Sequence, residues 1–92
     1  ISLQTYCENW SSGNFDPNQF PPERMKTETQ VTLQRYGKER TFVCPDGEER
    51  IFSWHLRLTP AAWRIHFFPM PLTRRILVGY IGPHLRTARF HN

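Results

Sequence analysis

The second half of the chain carries the side chains that could do chemistry. From Arg50 to Asn92 there are seven arginines and four histidines and no Asp or Glu, whereas the first 49 residues hold eight acidic residues and five Lys or Arg. A stretch without carboxylates offers its arginines few internal partners. The pattern predicts an electropositive face that binds a polyanion, which could be a nucleic acid or the acidic segment of a partner protein.

The spacing of these cations predicts where they meet. If two strands pair across the four-residue loop 59–62, they set His55 opposite His66 and Arg57 opposite Arg64. Like charges placed directly opposite each other destabilise a sheet. Three interpretations remain open at this point: a basic face that is merely solvated, a phosphate-binding face, and a His pair that binds a metal ion.

A ribonuclease is one activity that such a face could support. Histidine with a pKa near 6.5 suits acid–base catalysis, arginine stabilises charge on a scissile phosphate, and RNA supplies its own nucleophile in the 2′-hydroxyl. The candidate catalytic residues are His66, His84 and Tyr80. The candidate phosphate-binding residues are His55, Arg57, Arg64, Arg75, Arg86 and Arg89.

Other chemistries find less support in the spacing. Cys44, His55, His66 and His84 could be imagined as a zinc set, but no C-x-x-C or H-x₃₋₅-H spacing supports it. No glycine-rich phosphate loop occurs either. The sequence therefore predicts no resident metal and no cofactor.

The first 36 residues predict a short helix, an irregular proline-rich connection over 15–22 and a segment that fits helix or strand. Residues 1–10 favour a short helix with Leu3, Tyr6, Cys7 and Trp10 on one face. Residues 23–36 fit a helix or a half-buried strand, and we predict a short helical start followed by a strand from about Thr29.

Strand patterns follow at 41–44, 50–58, 63–68 and 75–81, and Pro45-Asp46-Gly47 predicts a turn. Residues 50–58 alternate over nine positions, and residues 75–81 are apolar enough for the sheet centre. Pro69 and Pro71 are expected to stop the strand at 63–68. The prediction is an α+β fold, an antiparallel meander sheet of four or five strands with a short N-terminal helical region. Its expected core is Phe52, Trp54, Leu56, Trp63, Ile65, Phe67, Ile76 and Val78.

Length and composition favour a single small domain over residues 1–92, or a piece of a longer chain because the sequence begins at Ile1. No apolar run is long enough to span a membrane. Two cysteines, Cys7 and Cys44, do not make a disulfide framework, although one bridge between them stays open. Small secreted domains are commonly rich in cysteine, so a reducing, cytoplasmic location is favoured.

Residues 55–87 resemble the C-terminal half of small RelE/ParE-type bacterial toxins. The similarity lies in Leu-Arg-Leu, then Trp-Arg-Ile-His-Phe-Phe, then Arg-Arg-Ile-Leu-Val-Gly-Tyr-Ile-Gly-Pro-His-Leu-Arg-Thr. The resemblance implies a cytoplasmic toxin that cleaves mRNA with residues of its sheet face, which an antitoxin protein covers. The chain departs from the family in lacking two firm amphipathic helices at its N-terminus, and Pro83 lies where the family continues its strand.

Two functions follow from the sequence. The first is an RNA-targeting, toxin-like domain that binds the phosphate backbone on a basic sheet face and could be a metal-independent ribonuclease. The alternative is a non-enzymatic module that binds nucleic acid or an acidic protein within a larger assembly. Both rest on the acid-free second half of the chain.

Overall fold

The computed structural model describes residues 1–58 and 63–88 and shows the α+β fold that the sequence predicts. Two α-helices, α1 (Leu3–Asn9) and α2 (Gln30–Tyr36), are each followed by a 3₁₀ turn, at Pro17–Gln19 and Gly37–Arg40. Six strands complete these parts of the chain: β1 (Met25–Thr27), β2 (Thr41–Val43), β3 (Glu49–Ile51), β4 (Trp54–Leu58), β5 (Trp63–Met70) and β6 (Arg75–Pro83).

The strands form two antiparallel sheets. The larger sheet has the order β1-β4-β5-β6, so β4, β5 and β6 make a meander and β1 joins at the outer side of β4. The smaller sheet is the hairpin of β2 and β3, whose turn uses Gly47 at a φ of 85°. A positive φ is open to glycine without steric cost, so this predicted turn is confirmed.

The predicted N-terminal helix is confirmed as α1. Ser2 begins it, because its side-chain oxygen accepts a hydrogen bond from the backbone N–H of Thr5 at 3.1 Å. The helix turns Tyr6 toward the larger sheet, and Trp10 follows at its C-terminal end; both are buried. The ring of Tyr6 contacts those of Phe15 and Phe20, at 5.0 and 5.7 Å between centroids, and these contacts hold the helix against the core.

The prediction for residues 23–36 was wrong in order. The strand comes first, as β1, and the helix follows, as α2. The hydroxyl of Thr29 accepts a hydrogen bond from the backbone N–H of Thr32 and so caps the N-terminus of α2. A helix therefore begins where β-propensity favoured a strand. Strand β1 forms because it pairs with β4, where Met25 lies opposite Leu56.

The predicted strand 50–58 is divided between the two sheets. Phe52 and Ser53 break it, and their backbone groups bond elsewhere: Phe52 N–H to the carbonyl of Arg40 at 2.6 Å, and Glu28 N–H to the carbonyl of Ser53 at 3.0 Å. The alternation holds only within β4. The ring of Phe52 packs against Phe42 and Phe68, away from the core that we predicted for it.

Strand β6 lies at the edge of the larger sheet and not at its centre, which corrects a second expectation. Strand β5 also continues through Pro69 to Met70 instead of ending before it. The first residue of β4, Trp54, lies opposite Phe67. Beyond Phe67, β5 therefore pairs only with β6, and a proline is tolerated there. A register shift between His66 and Phe67 leaves Gly79 as the extra residue on β6.

The core lies between α1, the irregular connection after it and one face of the larger sheet. Its buried members are Tyr6, Trp10, Phe20, Met25, Leu56 and Phe67, with Leu3, Phe15, Trp54, Ile65 and Ile76 packed against them. Three of the predicted core residues do not belong to it: Phe52 is buried elsewhere, and Trp63 and Val78 are 46% and 52% exposed. Among the described residues, none of the helices is long and apolar enough to cross a membrane.

Candidate functional site

The sheet face opposite the core carries two rows of polar side chains across neighbouring strands. The predicted pairing of β4 with β5 is present, with His55 opposite His66 and Arg57 opposite Arg64. The first row continues outward to Lys26 on β1 and Tyr80 on β6. We call this surface the basic face; its members are Lys26, His55, Arg57, Arg64, His66 and Tyr80.

The two histidines of this face contact each other, His66 buried and His55 partly buried. Their ring centroids are 5.2 Å apart, and His66 is only 2% exposed. Burial lowers the pKa of His55 to about 4, with the positive charge of Arg64 adding to the effect. Burial also lowers the pKa of His66 to about 4, helped by the neighbouring His55. Both imidazoles are therefore neutral near pH 7.

A carboxylate that the sequence analysis did not consider lies beside this pair. Glu28 follows β1 directly, and its Oε1 is 3.6 Å from His55 Nδ1, which is too long for a hydrogen bond. Its Oε2 accepts a hydrogen bond from Nε of Arg40. Arg40 is 1% exposed and also donates to the carbonyls of Tyr36, at 3.2 Å, and Arg86, at 2.7 Å.

Residues 84–88, which we call the C-terminal strap, cover the histidine pair. The backbone N–H of Ala88 donates to the Thr32 hydroxyl at 3.1 Å, and the carbonyl of Arg86 accepts from Arg40. The Arg86 side chain pairs with Glu39 and lies over the ring of Tyr36 at 5.0 Å. These contacts hold the strap on α2 and on the 3₁₀ turn after it.

Between the strap and the sheet there remains a small cavity of about 10 Å³, which we call the histidine recess. That volume holds a single water-sized particle. A nucleotide does not fit. The lining residues are Glu28, Arg40, His55, Arg64, His66, His84, Leu85 and Thr87.

The predicted catalytic residues have different positions relative to this recess. His66 lies beneath it, and His84 is half-buried at its rim, with Nδ1 2.7 Å from the carbonyl of Leu85. Tyr80 lies opposite His66 on β6, and its hydroxyl donates to the carbonyl of Pro83 at 2.7 Å. The acid–base roles of these three residues stay predictions.

The predicted phosphate-binding arginines are only partly brought together. Arg57 is exposed beside the half-buried Arg64, whereas Arg75 begins β6 at the opposite end of the β5–β6 hairpin. Arg86 is engaged with Glu39. Arg89 lies outside the described residues.

Arg57 and Arg64 bring two positive charges together on the basic face. Burial and the charge of Arg57 lower the pKa of the Arg64 guanidinium, while Glu28 acts in the opposite direction. Among the described residues neither arginine makes an ion pair with a carboxylate within 4.0 Å. The register also extends the row to Arg24, whose carbonyl accepts from the N–H of Arg57 at 2.8 Å.

Glu28 and Arg40 are the site residues that sequence reasoning missed. Both lie in the acid-containing half of the chain, outside the alternating strands that directed attention to the second half. Nothing in their local spacing signals burial, since their position depends on the pairing of β1 with β4. Comparison with protein-family models, with curated proteins and with solved structures finds no match.

Proposed function

We propose that this chain is an RNA-binding domain that holds the phosphate backbone on the exposed part of its basic face. The observation that carries the proposal is the direct pairing of Arg57 with Arg64 across two strands. Opposed like charges cost stability, and an anion bound between them removes that cost. Lys26 and Arg24 on the neighbouring strand side lengthen the positive track to several phosphates.

An exposed aromatic ring supports single-stranded RNA as the ligand. Trp63 begins β5 next to Arg64 and is 46% exposed, and the Nη1 of Arg64 donates to its carbonyl at 3.2 Å. Stacking of a base on an aromatic ring combined with cationic contacts to the backbone is the usual mode for single strands. A cytoplasmic location belongs to this proposal and is supported by two free thiols, Cys7 and Cys44.

Binding is proposed here without cleavage. Since His66 lies under the strap and the recess is too small for a nucleotide, a scissile phosphate does not reach the histidine pair in this conformation. A ribonuclease would need the strap to leave the sheet. The resemblance of residues 55–87 to RelE/ParE-type toxins stays a prediction, and so does an antitoxin as partner.

Fluorescence anisotropy with a labelled single-stranded RNA of about 12 nucleotides tests the proposal. We expect binding at about 50 mM salt that weakens as salt rises, with a slope of about −0.7 for each phosphate contacted. Arg57→Ala and Arg64→Ala should each lower the affinity and reduce the magnitude of that slope by about 0.7. Arg35→Ala, which removes an exposed arginine of α2, is the matched control and should bind like the wild type.

A second titration distinguishes RNA binding from the alternative function, binding of an acidic protein. An acidic polypeptide such as polyglutamate, titrated in the same way, should compete weakly, because it lacks bases that stack on Trp63. If the polypeptide binds better than RNA, the chain is a protein-interaction module. Absence of RNA binding at about 50 mM salt, or equal losses in Arg57→Ala and Arg35→Ala, contradicts the proposal.

A further inference from the structure

The histidine recess brings together three side chains with the donor atoms of a metal site. One ligand atom each from Glu28, His55 and His66 lies within 4.8 Å of the others. In a tetrahedral zinc site with bonds of about 2.0–2.2 Å, ligand atoms are roughly 3.3–3.5 Å apart. The distance of 3.6 Å between Glu28 Oε1 and His55 Nδ1 is already close to that spacing.

His55 supplies a second, independent observation. Its Nδ1 is buried and has no hydrogen-bond partner in the described part of the chain. A buried polar atom without a partner destabilises a fold, so such atoms are rare and call for an explanation. A cation between Nδ1 and the Glu28 carboxylate would satisfy both groups.

The surroundings orient the other two ligands in the way that metal sites require. His66 Nδ1 is 3.3 Å from the carbonyl of Phe52. A carbonyl only accepts, so Nδ1 carries the proton and Nε2 keeps the free lone pair. Arg40 likewise holds Oε2 of Glu28 and leaves Oε1 available. Hydrogen bonds of this kind fix the tautomer and direction of metal ligands.

We propose that Glu28, His55 and His66 bind one Zn²⁺ ion. Two imidazoles and one carboxylate are the ligand set of many zinc sites with an open fourth position, which here would face the cavity of about 10 Å³. Arg40 and Arg64 line the same recess, and their charges oppose a cation. The affinity should therefore be weaker than that of a structural zinc site with thiolate ligands, and a Kd in the micromolar range is expected.

The ion would tie together three strands that the sequence keeps apart. Glu28 follows β1, whereas His55 is on β4 and His66 is on β5. Binding should raise the melting temperature, because the ligands are assembled only in the folded chain. This inference concerns the recess under the strap and does not rest on the proposed RNA binding, although Arg64 lines the recess and also belongs to the proposed RNA-binding pair.

The test uses the full chain without a polyhistidine tag, treated with a chelator and then titrated with ZnCl₂ alone. We expect one equivalent to bind in competition with a chromogenic chelator, and saturating zinc to raise Tm by about 5 °C or more. Co²⁺ as a substitute should give the visible absorption of a four- or five-coordinate nitrogen–oxygen site without a thiolate band.

Variants locate the site. Glu28→Gln and His55→Gln should each weaken zinc binding at least tenfold, while Glu39→Gln, a neighbouring carboxylate on Arg40, and Cys44→Ser should not. His66 is deeply buried, and Glu28→Gln removes the buried counter-charge of Arg40, so both variants risk unfolding and His55→Gln carries the test. Unchanged affinity in His55→Gln, loss of binding in Cys44→Ser, or no binding of zinc by the wild type overturns the proposal.

Discussion

Arg40 is the charged side chain on which the polar side of the molecule depends. Its guanidinium is 1% exposed and bonds Glu28 and two backbone carbonyls that belong to α2 and to the strap. Removing a guanidinium from water is costly, and only good geometry with several partners offsets the cost. The loss of Arg40 would leave the carboxylate of Glu28 buried without a counter-charge.

We therefore expect Arg40→Ala to lower the free energy of unfolding by about 3–5 kcal/mol. Urea denaturation measures the change. Arg86→Ala is the matched control, since its pair with Glu39 is solvent-exposed and should contribute far less to stability. Equal losses in the two variants would show that Glu28 finds water or another donor when Arg40 is removed.

At the scale of the elements, β5 has two ends with different surroundings. Phe67 has none of its surface exposed and contacts Phe15 and Trp54, at centroid distances of 5.4 and 6.5 Å. Trp63 at the other end lies opposite Pro83 near the open end of the sheet and is half exposed. Two aromatic side chains on the same strand therefore contribute unequally to the free energy of unfolding.

Phe67→Ala should cost about 3–5 kcal/mol of stability and Trp63→Ala less than about 1.5 kcal/mol, because a half-exposed ring leaves no cavity. Thermal melts of both variants measure the difference. Trp63→Ala should still weaken RNA binding if the ring stacks on a base. A melt in which both variants lose the same stability would mean that Trp63 belongs to the core after all.

These elements also show how far sequence patterns reach. Alternation gave β4 and β5, their register and the basic face correctly, because a period of two depends only on neighbouring residues. It did not give the break at Phe52, the edge position of β6 or the order of β1 and α2. Each of these depends on distant contacts, such as Met25 with Leu56 or Gly79 with the Phe42 ring, which a Cβ would approach to 2.5 Å.

At the scale of the whole molecule, the two halves of the chain balance their charges against each other. The acidic residues precede Arg50, yet folding places Glu39 beside Arg86 of the second half. The charge asymmetry along the sequence is therefore smaller in space. Arg57 and Arg64 make no ion pair with a carboxylate among the described residues and lie opposite each other, and the RNA proposal applies to them.

The lowered pKa values of His55 and His66 make the stability of the molecule sensitive to acid. Histidine titrates near 6.5 in the unfolded chain, but His55 and His66 stay neutral in the fold down to about pH 4. Between these values the unfolded state binds more protons, so the free energy of unfolding falls as pH falls. The groups that face the pair are Lys26, Glu28, Arg40, Arg64 and His84.

We expect Tm to decrease steadily from about pH 6.5 to pH 5, above the range in which carboxylates titrate. Scanning calorimetry in metal-free buffer measures the slope. His55→Gln should flatten it, because one of the two depressed pKa values is removed. A flat profile in the wild type would mean that the histidines are hydrated in the fold.

The strap bears on the order in which parts of the chain fold. Ala88 reaches back to Thr32 and Arg86 to Arg40, separations of 56 and 46 residues. Closing such long loops costs conformational entropy, and contacts between neighbouring residues do not offset this cost. We therefore expect these two contacts to form late in folding. During synthesis, α1, β1, β4 and β5 can assemble while the strap is still inside the ribosome. A nascent chain would therefore expose His55 and His66 until the last of these contacts closed over them.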